Sequence, residues 1–415
     1  MRVLLVSTYD LGHQPFGLAS PAAWLARAGH TVTCADLAVS GLPVDEVRTA
    51  QVIAFHLPMH TATRMAAPLI GEVRALNPQA RVGCYGLYAP LNEEYLRSLG
   101  AEFCLGGEYE QALVDTVAQL PSRAAVSLDR LAFVRPARQG LPPLERYAKL
   151  RIGDEARTAG YTEASRGCKH LCRHCPVVPV YQGKFRVVQP DVVSADIAQQ
   201  IAAGARHITF GDPDFFNGPA HALRVVTSLH REHPGVTYDV TIKVEHLLAQ
   251  QELLPQLKHT GCLFITSAVE SLDDGVLRKL DKGHTRADFL EALGLLRSHG
   301  LSMKPTFIPF TPWTTLESYA ELRRVIEELD LTAHVPAVQL ALRLLIPRGS
   351  RLLELDEIQR VIEGFDEEAL LYRWRHPDAR VDEIAARMMA QAAAQDRAAI
   401  PVRATVPYLD EPWYC

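Results

Sequence analysis

The sequence predicts an α/β protein: an N-terminal Rossmann-like, doubly wound domain, then a partial (β/α)6 barrel, then a helical C-terminal extension. Three observations carry this. Short apolar runs alternate with helical segments over residues 1–120, a proline-broken stretch interrupts them, and the alternation resumes for six βα repeats. The 415 residues are enough for two domains and a tail. With 48% hydrophobic and 22% charged residues, the composition is that of an ordinary globular chain. A net charge of −5 argues against a broad nucleic-acid or membrane-surface footprint. No apolar run approaches the ~20 residues that span a bilayer. The opening MRVLLVSTYD meets Asp10 too soon for a secretory signal and reads as a first strand. A cytoplasmic location, where thiols stay reduced, is expected.

In the first domain (1–120) the expected strands are Arg2–Ser7, His30–Asp36, Ala50–His56, Arg81–Tyr88 and Glu102–Leu105, with helices at Leu18–Ala28, Thr61–Leu76 and Leu91–Leu99. Residues 121–160 contain Pro136, Pro142 and Pro143 and read as a linker. The barrel (161–350) has expected strands Tyr161–Ser165, His207–Gly211, Thr237–Lys243, Leu263–Ala268, Met303–Pro309 and Ala337–Leu344. Helices are expected at Asp191–Ala203, Pro219–His230, His246–Leu257, Asp274–Leu280 and Leu316–Leu329. Barrel chemistry sits at the C-terminal ends of strands, so the residues after each strand are the candidates. Residues 351–415 read as a charged helical extension and a proline-containing tail ending in Cys415.

Four of the eight cysteines, Cys34, Cys84, Cys104 and Cys262, stand singly in apolar, strand-like contexts and read as buried structural thiols. Cys168, Cys172 and Cys175 cluster in a loop after the first barrel strand, as Cys-Lys-His-Leu-Cys-Arg-His-Cys. Three thiolates on one loop can cap three irons of a cubane and leave the fourth iron open. Soft thiolates also suit zinc, for which His170 or His174 could supply a fourth ligand.

This C-x3-C-x2-C loop resembles the signature of the radical S-adenosylmethionine (radical SAM) superfamily, over residues 161 to about 350. The resemblance implies a 4Fe–4S cluster on the three cysteines, whose open iron chelates SAM, and reduced flavodoxin or ferredoxin as electron donor. It places His174 against adenine. It puts the SAM amino group at Gly211-Asp212-Pro213-Asp214, where the family often has Gly-Gly-Glu. Lys243 and Glu270 fall where the family contacts the SAM carboxylate and ribose. Arg343 and Ile346-Pro347-Arg348-Gly349-Ser350 fall near the adenine site. The chemistry of SAM asks for such groups: charge partners for an amine and a carboxylate, and a slab for adenine.

The stretches Gln14–Leu18, Trp24–His30 and Gly107-Glu108-Tyr109-Glu110 resemble the cobalamin-binding-like domains fused to such barrels. Asp10 and His13 match a cobalt-ligating Asp-x-His-x-x-Gly pattern in residue type but not in spacing, so cobalamin is implied without a clear ligand. No G-x-G-x-x-G follows the first strand, which disfavours a nicotinamide. A finer resemblance, carried by Phe307–Thr314, Trp374–Asp378 and Glu411–Cys415, is to the CUAEP/CCAEP-tail radical SAM (seleno)proteins. In that group the tail continues with selenocysteine or cysteine, which makes Cys415 a candidate catalytic thiol and the chain a selenoprotein candidate.

The expected function is reductive SAM cleavage and modification of a small molecule. The alternatives are cobalamin-dependent methyl transfer, transfer of a 3-amino-3-carboxypropyl group to a soft atom held by the tail thiol, and a zinc-stabilised binding protein. Membrane and nucleic-acid partners are not expected. Trp313, Trp374 and Trp413 read as core or as lining of the substrate mouth.

Overall fold

The computed structural model describes residues 1–120, 125–397 and 406–411. Strands β1 (Arg2–Ser7), β2 (Thr31–Asp36), β3 (Val52–His56), β4 (Arg81–Tyr85), β5 (Phe103–Gly107) and β6 (Val126–Ser127) form one sheet in the order β2-β1-β3-β4-β5-β6. Every neighbouring pair is parallel. The order reverses between β1 and β3, as in a doubly wound sheet. Period-2 alternation sorts the side chains into two cores. Leu4, Val6, Ile53, Phe55 and Val82 pack on one face, Val3, Leu5, Val52, Ala54 and Leu105 on the other. Burial on both faces is why these strands read as continuous apolar runs.

A hairpin of β7 (Lys149–Ile152) and β8 (Glu155–Thr162) opens the second unit. A small antiparallel pair, β9 (Ser165–Gly167) and β10 (Phe185–Val187), brackets the cysteine loop. Then come β11 (His207–Phe210), β12 (Thr237–Thr241), β13 (Cys262–Glu270), β14 (Ser302–Phe307), a hairpin of β15 (Ile362–Asp366) and β16 (Leu371–Trp374), and β17 (Tyr408–Leu409). The second large sheet runs β14-β13-β12-β11-β8-β7-β17 and curls into a half-barrel around the largest core. Its five strands β8 and β11–β14 are parallel. Helices Pro190–Ala202 and Pro219–Glu232 start on proline at the first turn, and Arg286–Ser298 and Leu316–Glu328 start on capping boxes at Thr285 and Thr315.

Four expectations are corrected. The sixth barrel strand, expected at Ala337–Leu344, is a 3-10 turn at Ala337–Leu340 followed by a single bridge from Arg343 to Phe310. Here the side-chain oxygen of Gln339 accepts the Phe307 N–H at 3.0 Å, which satisfies a donor at the end of β14 that a sixth strand would have taken. The proposed linker holds β6, β7 and most of β8, so the first barrel strand begins at Glu155 rather than Tyr161. The charged extension is not uniformly helical, because Ile362–Trp374 forms the β15–β16 hairpin, with a register shift beside Gly364 at φ +119°. The expected helix His246–Leu257 is broken at Gln250, ahead of Pro255.

Candidate active site

Gly167 ends β9 at φ +73°, and a Cβ there would stand 2.3 Å from the Tyr181 ring and 2.5 Å from the Lys184 carbonyl oxygen. Only glycine lets the chain turn here and enter the loop that carries Cys168, Cys172 and Cys175. Cys168 and Cys172 are buried, Cys175 is half-buried, and all three are free thiols. Burial first, and then charge on the neighbouring thiols, raises Cys168 and Cys175. Burial pushes the Cys175 thiol up to about 12. Three neighbouring thiols of this kind give up their protons to a soft cation, so the donor set fits an iron–sulfur cluster. The Asn217 side-chain oxygen accepts from the Lys169 N–H at 3.1 Å and lies 3.8 Å from the Cys168 sulfur. The far side of the loop is tied down by Arg173 N–H to the Leu280 carbonyl and by Arg351 to the Leu171 carbonyl, both at 2.9 Å.

His174 and Glu270 meet beside the thiols, with Nε2 to Oε1 at 3.2 Å. Glu270 ends β13 in the left-handed region at φ +68°, where the register with β14 shifts. A non-glycine residue held there stores strain that the surrounding structure must impose. Its other partner is Lys282, 3.4 Å away and buried. Burial opposes charge on Glu270, yet Lys282 and His174 together hold the carboxyl at about 2. Burial likewise opposes charge on Lys282, but Glu270, Cys172 and Cys175 outweigh it and raise its ammonium. A fixed cation therefore stands beside the thiols. A cavity of about 270 Å3 opens next to Glu270, walled by Leu272, Ile308, Thr311 and Tyr319.

Gly211 follows β11, where a Cβ would strike the Tyr161 hydroxyl at 1.9 Å. Asp212 is buried; it accepts from the Ala164 N–H at 2.9 Å and from the Ser165 hydroxyl, and burial pushes it up to about 7. It thus pins the turn between β8 and β9. Lys243 is buried at the end of β12 and pairs with Glu245 at 3.3 Å. Arg343 is tied to the extension: it pairs with Asp382, donates to the Trp374 carbonyl and stacks on the Trp374 ring at 4.0 Å. Ser350 donates to the Arg173 carbonyl at 2.9 Å, so that segment braces the cysteine loop. Trp374 is core, with its indole N–H on the Leu344 carbonyl. Trp413 and Cys415 lie outside the described residues.

The sequence does not single out Lys282 and Asn217. Their one signal there is polarity in short turns between apolar elements, as in Asp-Lys-Gly-His-Thr at 281–285.

The N-terminal unit closes over the site. Arg166, two residues before Cys168, is buried and grips Glu110 with both guanidinium nitrogens at 2.9 and 2.7 Å, and Glu163 at 2.6 Å. Its guanidinium also lies over Phe16, Tyr109 and Phe133. Tyr181 donates to Glu108 at 3.0 Å. The Gly-Glu-Tyr-Glu stretch is thus the socket into which the barrel docks. His13 is buried, stacks on Tyr161 at 4.9 Å and contacts Glu411 of the tail at 3.0 Å.

Among known proteins, the radical SAM superfamily profile matches residues 162–326. The chain is 26% identical to tRNA-2-methylthio-N(6)-dimethylallyladenosine synthase of Chlorobium luteolum, over 44% of this chain and 42% of that protein. It is 22% identical to threonylcarbamoyladenosine tRNA methylthiotransferase MtaB of Thermotoga maritima, over 64% of this chain and 60% of that one. The chain therefore spans only about half the length of these relatives. The fold is similar to the radical SAM methyltransferase TsrM from Kitasatospora setae, with TM-score 0.72, 15% identity and coverage of 95% and 90% of the two chains. It is also similar to the cobalamin-dependent SAM radical enzyme OxsB, with TM-score 0.70, 13% identity and coverage of 95% and 67%. No described helix is long and apolar enough to cross a membrane. Residues 162–326, with the three-cysteine loop at the head of a parallel half-barrel, are thus the part of the chain that matches the radical SAM superfamily.

Proposed function

We propose that this chain binds a 4Fe–4S cluster through Cys168, Cys172 and Cys175, cleaves SAM reductively and modifies a small molecule. The observation that carries the reading is the glycine-hinged, braced loop that gathers three free thiols beside the buried Lys282–Glu270–His174 set. The reduced cluster, when bound, supplies the electron that splits the sulfonium of SAM. The chain's own residues do the rest. Lys282 offsets negative charge near the thiols. Glu270, kept ionised, would accept from donor groups of SAM, and Lys243, now paired with Glu245, would offer its ammonium to the carboxylate. The cavity beside Glu270 takes an apolar or ring portion. His174 is held by Glu270, which sets the ring for contact with adenine; Gly211 and Asp212 shape the end of β11 for the amino group. Arg343 acts through the extension it anchors rather than by reaching adenine. Reduced flavodoxin or ferredoxin is the donor class.

Zinc on the cysteines is disfavoured, because His174 turns to Glu270 and His170 to His246 and Glu245. The curated relatives are named for tRNA chemistry. The net charge of −5 favours a small substrate for this chain instead.

Cobalamin-dependent methyl transfer is the second reading, favoured by the doubly wound sheet docked over the barrel and by a fold neighbour named as cobalamin-dependent. His13 does not fit as a cobalt ligand here, since its Nε2 is engaged by Glu411. A catalytic role for Cys415, with a CUAEP/CCAEP-type tail holding the acceptor, extends the first reading. It is supported by the tail's docking on β7 through Tyr408–Leu409 and on His13 and Lys304 through Glu411.

Anaerobic reconstitution, addition of reductant and SAM, and mass spectrometry of the SAM fragments test these readings. The first predicts 5′-deoxyadenosine. Predominant S-adenosylhomocysteine with bound corrinoid moves methyl transfer to first place. Predominant 5′-methylthioadenosine moves aminocarboxypropyl transfer there.

A further inference from the structure

Beside the cysteine loop lies a second cluster of donors, distinct from the cysteine ligands, of which only Asp214 falls in the segment that the family resemblance gives to the SAM amino group. His170 comes from the loop itself, Asp214 from the turn after β11, and His246 from the helix Val244–Ala249 after β12. Each offers one ligand atom, and these atoms all lie within 4.8 Å of one another. His170 Nε2 is 3.3 Å from His246 Nε2 and 3.7 Å from Asp214 Oδ2. His246 Nδ1 is 2.7 Å from Asp214 Oδ2. Bonds of ~2.1 Å to one ion set donor–donor edges of about 3–3.4 Å. An imidazole gives one ion a single nitrogen, so the His246 ring would shift to bring one nitrogen to that spacing from both partners.

A second observation is independent of this proximity. The Asp214 side chain has no solvent exposure. Its Oδ1 accepts the Phe216 N–H at 3.1 Å, while Oδ2 has no hydrogen-bond partner. His246 Nδ1 likewise makes no hydrogen bond of normal geometry. The close contact of these two atoms is with each other, as an ion pair at 2.7 Å. Buried polar groups satisfied this poorly cost free energy that a bound cation would recover. Behind His170, Glu245 Oε2 stands 3.5 Å from Nδ1, the place where a carboxylate orients a metal-bound histidine. Asp214 and Glu245 against Lys243 leave the pocket with one net negative charge when both imidazoles are neutral.

We infer that His170, Asp214 and His246 bind a divalent first-row transition ion, separate from the ligand set Cys168, Cys172 and Cys175. Two imidazoles and one carboxylate suit zinc or iron(II). Three protein ligands leave a position for water or a substrate donor, and both rings are partly exposed. The ion would clamp the cysteine loop to the ends of β11 and β12.

The test uses the anaerobically reconstituted full chain, zinc chloride as the probe, and zinc, iron and sulfide counted on the same desalted sample. Because iron and sulfide are read separately, a failed cluster and a failed second site are distinguishable. The expected result is about one zinc per chain, with affinity reduced at least about ten-fold in Asp214→Asn and His246→Gln while iron and sulfide stay unchanged. Asparagine keeps the oxygen that accepts from Phe216, so Asp214→Asn preserves the turn. Cobalt(II) in the wild-type chain gives a second measurement that needs no variant, with nitrogen–oxygen ligation and no intense thiolate charge-transfer band expected. No zinc in the wild-type chain, equal zinc in both variants, or a thiolate band from cobalt would each overturn the inference.

Discussion

At Glu270 three constraints meet: a left-handed backbone, a buried carboxylate, and contacts to both His174 and Lys282. Glu270→Gln leaves Lys282 buried without its counter-charge, and removing one partner of such a pair costs about 3–5 kcal/mol. Denaturant unfolding should show a loss on that scale, and SAM binding should weaken with it. His56 gives a pH-dependent counterpart. It ends β3 near the point where the sheet order reverses, and burial, then Arg166, pushes it down to about 3. Its folded value lies below the ~6.5 of an unfolded histidine, so it costs nothing above ~6.5 and destabilises the fold as pH falls toward about 3. Melts should therefore show the stability of wild type relative to His56→Leu shrinking between about pH 7.5 and about pH 5. An unchanged difference would mean that His56 takes up its proton as readily in the folded chain as in the unfolded one. Gly17 faces the same ring, with a built Cβ only 2.0 Å from His56 Cε1. Gly17→Ala should cost about 1–3 kcal/mol through overpacking, read by the same melts.

Among elements, what the sequence made legible was what local pattern encodes. The strands of the first sheet show because both faces are buried. The cysteine loop shows because its donors lie within eight positions of each other. The partners that complete the site come from afar: Asn217 is 49 residues from Cys168, and Glu270 is 96 from His174. Ala337–Leu344 is apolar enough to read as a sixth strand, but a single side chain, Gln339, takes the hydrogen bond instead. Glu108 and Glu110 stood out only by resemblance; the structure supplies their reason in Arg166, which joins the two units just before the cluster loop. Arg166→Met would strand two buried carboxylates, Glu108 and Glu110, and the half-buried Glu163, and a loss of about 3–5 kcal/mol is expected. Lysine should rescue poorly, since it cannot make the two-nitrogen grip on Glu110. Full rescue by Arg166→Lys, measured by denaturant unfolding, would count against the forked contact.

At the scale of the whole molecule, the N-terminal sheet, the half-barrel and the tail converge on one loop. Burial, and then the nearby Cys175, raises the Tyr88 phenol of the first unit, and Ser350 and Arg351 of the extension brace the loop from the other side. Such convergence suits a site that must hold a cofactor in fixed geometry and exclude water from reactive intermediates. The measurement that bears most directly on this reading is iron and acid-labile sulfide per chain after anaerobic reconstitution, with wild type beside Cys168→Ala, Cys172→Ala and Cys175→Ala. Iron and sulfide near the ~4:4 ratio of a cubane in wild type, falling sharply in each variant, is the expected result. A wild-type chain that takes up no sulfide, or variants that keep the full complement, would contradict it.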